Sequence, residues 1–197
     1  MVHPSWARSC GDEVGWSRLA QPNHHGWTDA ETSSKLQELR RPPDDPDPKA
    51  LACAGLRRRP GPLQADQMGL RFVTGRPVRA VTIALLAWCA AQRAAQGFTA
   101  WRLRWDNASW HRSRAVQHWI RHHNQQVKRG AAGVRIVICH LPSKRPWLTP
   151  IAPQWVHGKR AVAEPDRLLS AVALEARVYA SYECACEEHL VMPKKVA

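Results

Sequence analysis

Apolar and polar positions alternate along GLRFVTG, residues 69–75. Leu70, Phe72 and Thr74 fall on one side, Arg71 and Val73 on the other. A two-residue period is that of a strand. The next segment has another pattern. Val78 to Gln96 is almost wholly apolar, follows Pro77 and stops at Gly97, which predicts a long buried helix. Phe98 to Trp105 predicts a further strand. Ser113 to Lys128, ended by Gly130, predicts a helix with Ala115, Val116, Trp119, Ile120 and Val127 on one face and a basic face elsewhere. Val134 to Cys139 predicts a strand, Ile151 to Val162 a helix, and Ser170 to about Tyr182 a last helix with Val172, Leu174, Val178 and Tyr179 as core. Ala50 to Leu56 is short and apolar and suits a strand, although period alone does not separate it from a piece of helix. Strands first, then strands alternating with helices, indicate a mixed α/β sheet with helices packed on it, with room for one more strand near the N-terminus.

Residues 1–49 carry little periodicity. Arg40 to Pro48, RRPPDDPDP, reads as a turn or linker, because its prolines forbid both a helix interior and a central strand. SWARSC, just before Asp12, is a poor strand sequence. AWRLRW sets Arg102 and Arg104 in a strand expected to be buried on both faces, where an unpaired charge is costly. Trp88, Trp101, Trp105 and Trp119 are expected in the core, while the pairs His24–His25 and His122–His123 are expected in solvent.

Charge sharpens this picture. The 197 residues carry a net charge of +13, concentrated in the middle. Residues 50–163 hold 19 basic and 2 acidic side chains, and the two acids are Asp66 and Asp106. A folded middle with that imbalance repels itself unless a polyanion is near, and nucleic acid is the default one. A merely arginine-rich composition is the plain alternative. The longest apolar run, Ala80 to Ala91, is about 12 residues, short of the roughly 20 a bilayer needs. The six cysteines form no C-x-x-C pair, so they read as reduced thiols of a cytoplasmic protein. Cys184, Cys186 and His189 make a loose C-x-C-x-x-H that lacks a fourth zinc ligand.

The chemistry gathers in WDNASWH, residues 105–111. Asp106 sits where a strand ends, the position at which α/β sheets hold ligands. Two readings stay open on the residues alone. Asp106 caps the following helix, or it binds a hard divalent cation beside phosphate.

DNASWHRSRAV together with LPSKRPWLTPIAPQWVHGKRAVAEPDR resembles the catalytic core of bacterial insertion-sequence transposases of the family numbered 630, relatives of the mariner transposases. That family carries Asp-Asn with a nearby His, then a segment of the form SPWLNPIEPxWxxxK. GDEVGWSRLAQP resembles its first catalytic segment and DDPDPKALACAGL its second strand. The resemblance runs from about Gly11 to Tyr182. It implies a ribonuclease-H-like (retroviral-integrase-like) fold, an α/β mixed sheet with flanking helices, and an Asp-Asp-Glu site holding Mg²⁺ (or Mn²⁺) that cuts and joins DNA phosphodiesters. Carried over, Asp12 is the first carboxylate and metal ligand and Asp106 the second. Asn107 and His111 are supporting residues. Lys144, Arg145, Lys159 and Arg160 are the basic residues that meet DNA.

The third position departs from the family. Ala152 stands where it carries Glu, and Thr149 where it carries Asn. Glu164 is about 12 residues on, some 18 Å along a helix, too far to substitute. The family's helix-turn-helix domain is also missing. The expectation is therefore a truncated, catalytically impaired fragment in three parts: residues 1–49 with the first catalytic segment and a linker, a core over 50–183, and a tail over 184–197. The alternatives are a non-catalytic basic nucleic-acid-binding module and a vestigial product with no function. DNA is the expected partner, a homodimer is an open option, and no membrane is involved.

Overall fold

The computed structural model describes residues 5–19, 41–58, 65–74, 79–142, 149–162 and 167–191. Ten elements follow one another: β1 (Trp6–Ser17), β2 (Ala50–Arg58), β3 (Gln67–Thr74), α1 (Arg79–Ala95), β4 (Ala100–Trp105), α2 (Arg114–Lys128), β5 (Arg135–His140), α3 (Ala152–Val162), α4 (Ala171–Ser181) and β6 (Leu190–Val191). The strands form one sheet in the order β5-β4-β1-β2-β3-β6. The hairpins β1–β2 and β2–β3 are antiparallel, whereas β1–β4, β4–β5 and β3–β6 are parallel. Parallel pairs need a crossover, and α1 and α2 supply it.

SWARSC, which looked like a poor strand, opens β1, a middle strand of the sheet between β4 and β2. In its first half the buried positions are small, Ala7, Ser9, Cys10 and Gly11, and the large buried side chain, Trp16, comes only at its far end. Neighbours fill the space that large side chains would otherwise take. The Trp101 indole N–H reaches Ser9 Oγ, and Leu103 lies 3.3 Å from where a Gly11 Cβ would stand. A strand packed in this way carries almost no hydropathy signal. Leu190 and Val191, from the expected tail, pair with β3.

Two cores lie on the two faces. One packs α1 and α2 against Ala7, Leu56, Trp101, Leu103 and Trp105, with Trp88 and Trp119 half-buried at its edge. The other packs α3 and α4 against Trp16, Cys53, Leu70 and Phe72. Its centre is three rings in edge contact: Trp16, Trp155 and Tyr182. α3 and α4 approach closely because residue 158 is glycine; a Cβ there would stand 2.6 Å from the Tyr182 ring. Arg18, 4% exposed, ties the end of β1 to the Asp45–Asp47 turn and to the entry of α4. It contacts Asp45 Oδ2 at 2.8 Å and Leu169 O at 2.7 Å.

Three expectations about burial fail. Val172 is 77% exposed, because α4 turns Leu174, Val178 and Tyr179 inward instead. Ala115 is exposed, and Val116 alone in α2 is fully buried. Arg102 and Arg104 are not interior charges. β4 buries Trp101, Leu103 and Trp105 on one face and exposes Arg102 and Arg104 on the other, since among the described residues α3 and α4 cover only the far half of the sheet.

Candidate active site

Asp12 and Asp106 come from neighbouring parallel strands. The β1–β4 ladder matches Trp6 with Ala100 and Cys10 with Arg104. Continued two residues past its last pair, the same register sets Asp12 opposite Asp106. Neighbouring strands lie roughly 4.8 Å apart, so the two carboxylates come close where β4 ends beside the middle of β1. Each is within electrostatic reach of the other: Asp106 raises the pKa of Asp12.

Asp12 is half-buried and held from two sides. The Glu13 N–H donates to its Oδ1 at 2.9 Å, and the Trp155 indole N–H donates to its Oδ2 at 3.1 Å. Burial pushes its carboxyl up to about 6; the Trp155 hydrogen bond opposes this and the Glu13 charge adds to it. Trp155 can lie there because its neighbour in β2 is Gly55, which pairs with Asp12 across the ladder. A Cβ on residue 55 would stand 2.7 Å from Trp155 Cζ2. Gly55→Ala is therefore expected to lift the indole off Asp12. The expected destabilisation is about 1–3 kcal/mol, the usual cost of overpacking, measured by urea unfolding. Unchanged stability together with unchanged tryptophan emission would contradict that contact.

Asp106 is organised by its own loop. Its Oδ1 accepts from the Ala108 N–H at 2.9 Å, the local bond of a capping turn, and contacts His111 Nδ1 at 2.6 Å. His111 Nε2 reaches Glu13 Oε1 at 2.8 Å. One ring thus bridges the end of β4 to β1. Both contacts are donor bonds only if the ring carries two protons. Burial works against that charged form, but the bonds to Asp106 and Glu13 outweigh it and hold the His111 pKa above its ordinary value. The His111 bond in turn holds the Asp106 carboxyl below the usual range. Trp105 lies against the imidazole with centroids 3.7 Å apart, and the Trp110 indole N–H reaches Glu13 Oε2 at 3.4 Å. Asn107 donates to Leu141 O, which ties the loop to the exit of β5. The helix after this loop is capped by Ser113, whose side chain accepts from the Val116 N–H. Asp106 is thus not needed as its cap.

Ala152 is the first residue of α3, one turn before Trp155. The segment leading into α3 is anchored by Arg57, which donates to Pro150 O. The side chain at 152 is a methyl, and a methyl offers a cation nothing. Among the described residues no three His, Cys, Asp or Glu side chains gather as a metal-binding group. The donors present are hard oxygens, and Mg²⁺ takes one or two carboxylates and completes its shell with water and phosphate. Asp12 and Asp106 suit one such cation and do not suit a pair. Lys159 and Arg160 are exposed in the last turn of α3. Lys144, Arg145 and Glu164 lie outside the described residues. The loose C-x-C-x-x-H does not assemble: His189 is engaged by Glu175 at 2.8 Å and by Thr74 at 3.1 Å, and Cys186 is exposed.

Sequence reasoning missed Glu13 as a partner of His111 and Trp155 as a partner of Asp12. These contacts join residues 98 and 143 positions apart. No local period could reveal them, although the second acid beside Asp12 was a visible hint.

No protein-family model matches the chain, and no curated protein matches it. Solved structures do. The chain resembles the Mos1 transposase paired-end complex with left transposon end, with a TM-score of 0.63 and 13% identity over 90% of this chain. It resembles a pre-cleavage Mos1 transpososome with a TM-score of 0.60 and 13% identity over 91% of the chain. The Mos1 strand transfer complex gives 0.57 and 13% over 92%. This chain spans 48% to 49% of the length of those proteins. At that identity the likeness is one of fold: the sheet and its helices form a ribonuclease-H-like domain of the kind found in transposases. No helix among the described residues is long and apolar enough to cross a membrane.

Proposed function

We propose that the chain is a transposase-like DNA-handling domain of the Asp-Asp-Glu type, related to the family numbered 630, with catalysis impaired by the loss of its third carboxylate at Ala152. The observation that carries this reading is the β1–β4 register, which ends at Cys10–Arg104 and, continued two residues, supports a meeting of Asp12 and Asp106. The Trp155 bond supports it further, because α3, the helix that begins at residue 152, rests on Asp12.

In this reading Asp12 and Asp106 would hold a single Mg²⁺ or Mn²⁺, which when bound supplies charge neutralisation at a phosphodiester and an activated water. His111 keeps Asp106 ionised and oriented, the role that partners of metal ligands commonly play. Asn107 steadies the loop behind it. Lys144, Arg145, Lys159 and Arg160 would meet DNA phosphates, which position the strand without reading its sequence. The bound copy number, including a homodimer, belongs to the same proposal.

A second reading is a non-catalytic nucleic-acid-binding module. It is favoured by the methyl of Ala152 and by the protein N–H groups already bonded to both Asp12 oxygens. Calorimetric Mn²⁺ titration separates the two. Wild type is expected to bind Mn²⁺ with an affinity that rises with pH through about 6, because the raised Asp12 carboxyl must first lose its proton. The same shift means that the metal-free fold is favoured by Asp12 protonation. That contribution is full below the ordinary carboxylate range and is lost as pH rises through about 6. Asp106→Asn is expected to weaken Mn²⁺ by about 10-fold or more and to abolish any plasmid nicking. Equal binding by wild type and Asp106→Asn would leave only the non-catalytic module. Failure of the expressed chain to fold would leave a vestigial product.

A further inference from the structure

The open half of the sheet carries arginines on a single face. Paired residues in a ladder share a face. Arg8 pairs with Arg102, Cys10 with Arg104, and Cys10 on its other side with Arg57. Asp12 lies two residues further along β1 on that same face, about 7 Å away. Arg8, Arg57 and Arg104 surround a hollow of about 250 Å³ that also touches Cys10, Asp66 and Pro150. Three of the guanidiniums, those of Arg57, Arg102 and Arg104, lie against protein partners. Arg57 is fixed by Asp66 and by Pro150 O, Arg104 lies beside the Cys10 thiol, and Arg102 donates to the Cys139 thiol at 3.2 Å. Asp66 meets Arg57; among the described residues no carboxylate forms a salt bridge with Arg8, Arg102 or Arg104. Several preset forks with one acid between them repel one another until an anion arrives, and the guanidinium fork matches phosphate oxygens.

We propose that this arginine floor, Arg8, Arg57, Arg102 and Arg104, binds the phosphate backbone of the nucleic-acid strand that runs onto Asp12 and Asp106. The proposal rests on the DNA-handling reading and adds a surface to it, separate from the basic end of α3. It also explains why a sheet face beside two carboxylates is left uncovered. A phosphate in the hollow lies next along the strands from the acids, so the floor aligns the backbone before any phosphodiester meets them.

The test uses the full chain and two fluorescent probes, a mixed-sequence single-stranded oligonucleotide and its duplex. The variant R8Q/R104Q is expected to weaken binding about 10-fold and to lower the slope of log affinity against log salt by about 1.5, the loss of two phosphate contacts. R114Q/R121Q, on exposed positions of α2 across the sheet, is expected to change both far less. A variant-free measurement accompanies it: phenylglyoxal labelling of wild type, with bound oligonucleotide protecting Arg8 and Arg104 and leaving Arg121 reactive. Equal effects of the two double variants, or equal labelling with and without bound oligonucleotide, would overturn the floor. Mn²⁺ binding that depends on Asp106 would then still support the metal-site reading. Conversely, a strong R8Q/R104Q effect with no Asp106-dependent Mn²⁺ binding would keep the floor and remove the metal chemistry. A wild type that binds neither probe would overturn both.

Discussion

His111→Ala is expected to lower the unfolding free energy by about 3 kcal/mol near pH 6, the low end of the cost of breaking a buried ion pair. The imidazole side chain is fully buried and touches two carboxylates from different strands. Alanine removes both bonds, leaves Glu13 and Asp106 facing each other without a cation between them, and opens a void beside Trp105. Asp106 is 44% exposed, so water recovers part of the loss, which keeps the figure at the lower end. The pH dependence follows from two opposite shifts. The raised His111 pKa gives stability that is full below the ordinary histidine range and is lost as pH rises through the folded value. The lowered Asp106 pKa gives stability present above the ordinary carboxylate range and lost as pH falls through its folded value. The bridge is therefore strongest between about pH 4 and 6.5, and the gap between wild type and His111→Ala should narrow on either side of that window. Urea unfolding at a series of pH values measures it. A gap that grows above pH 8 would mean that the ring is neutral in the folded state.

Ala152→Glu is expected to have the largest effect on chemistry, raising Mn²⁺ affinity and any DNA nicking by about 10- to 100-fold, the scale on which changes around a metal site act. Residue 152 opens α3, and the same helix reaches Asp12 one turn later through Trp155. A carboxylate there would add an oxygen donor one helical turn before the indole that bonds Asp12. Position 152 is half-buried, so a longer side chain is not shut out of the fold there. Calorimetry and plasmid nicking are read together, with Ala152→Gln as the control that adds bulk without charge. A gain for Glu alone would mean that Asp12 and Asp106 are already correctly set. No gain, or an equal gain for Gln, would set aside the Asp-Asp-Glu reading of this chain.

The sequence on its own determined most of the element order and the charge imbalance from which the proposal of a nucleic-acid partner starts. α1 was legible because an apolar run of its length between Pro77 and Gly97 has one common outcome, and α2 because its apolar positions repeat at the helical period. The basic middle was legible because charge is additive and needs no structure. Asp106 stood out as a candidate through its motif, and Ala152 as a departure through the same comparison of residues; both belong to the proposal. What local pattern could not carry was anything set by neighbours far along the chain. The first half of β1 was hidden because a middle strand packed under Trp101 and Leu103 can be built from alanine, serine, cysteine and glycine. Arg102 and Arg104 looked misplaced because alternation tells which residues share a face and not whether a helix covers that face; only the docking of α3 and α4 on the far half of the sheet decides it. The His111 bridge and the Trp155–Asp12 bond were likewise decided by tertiary packing, since each joins segments that meet only once the sheet has closed its register.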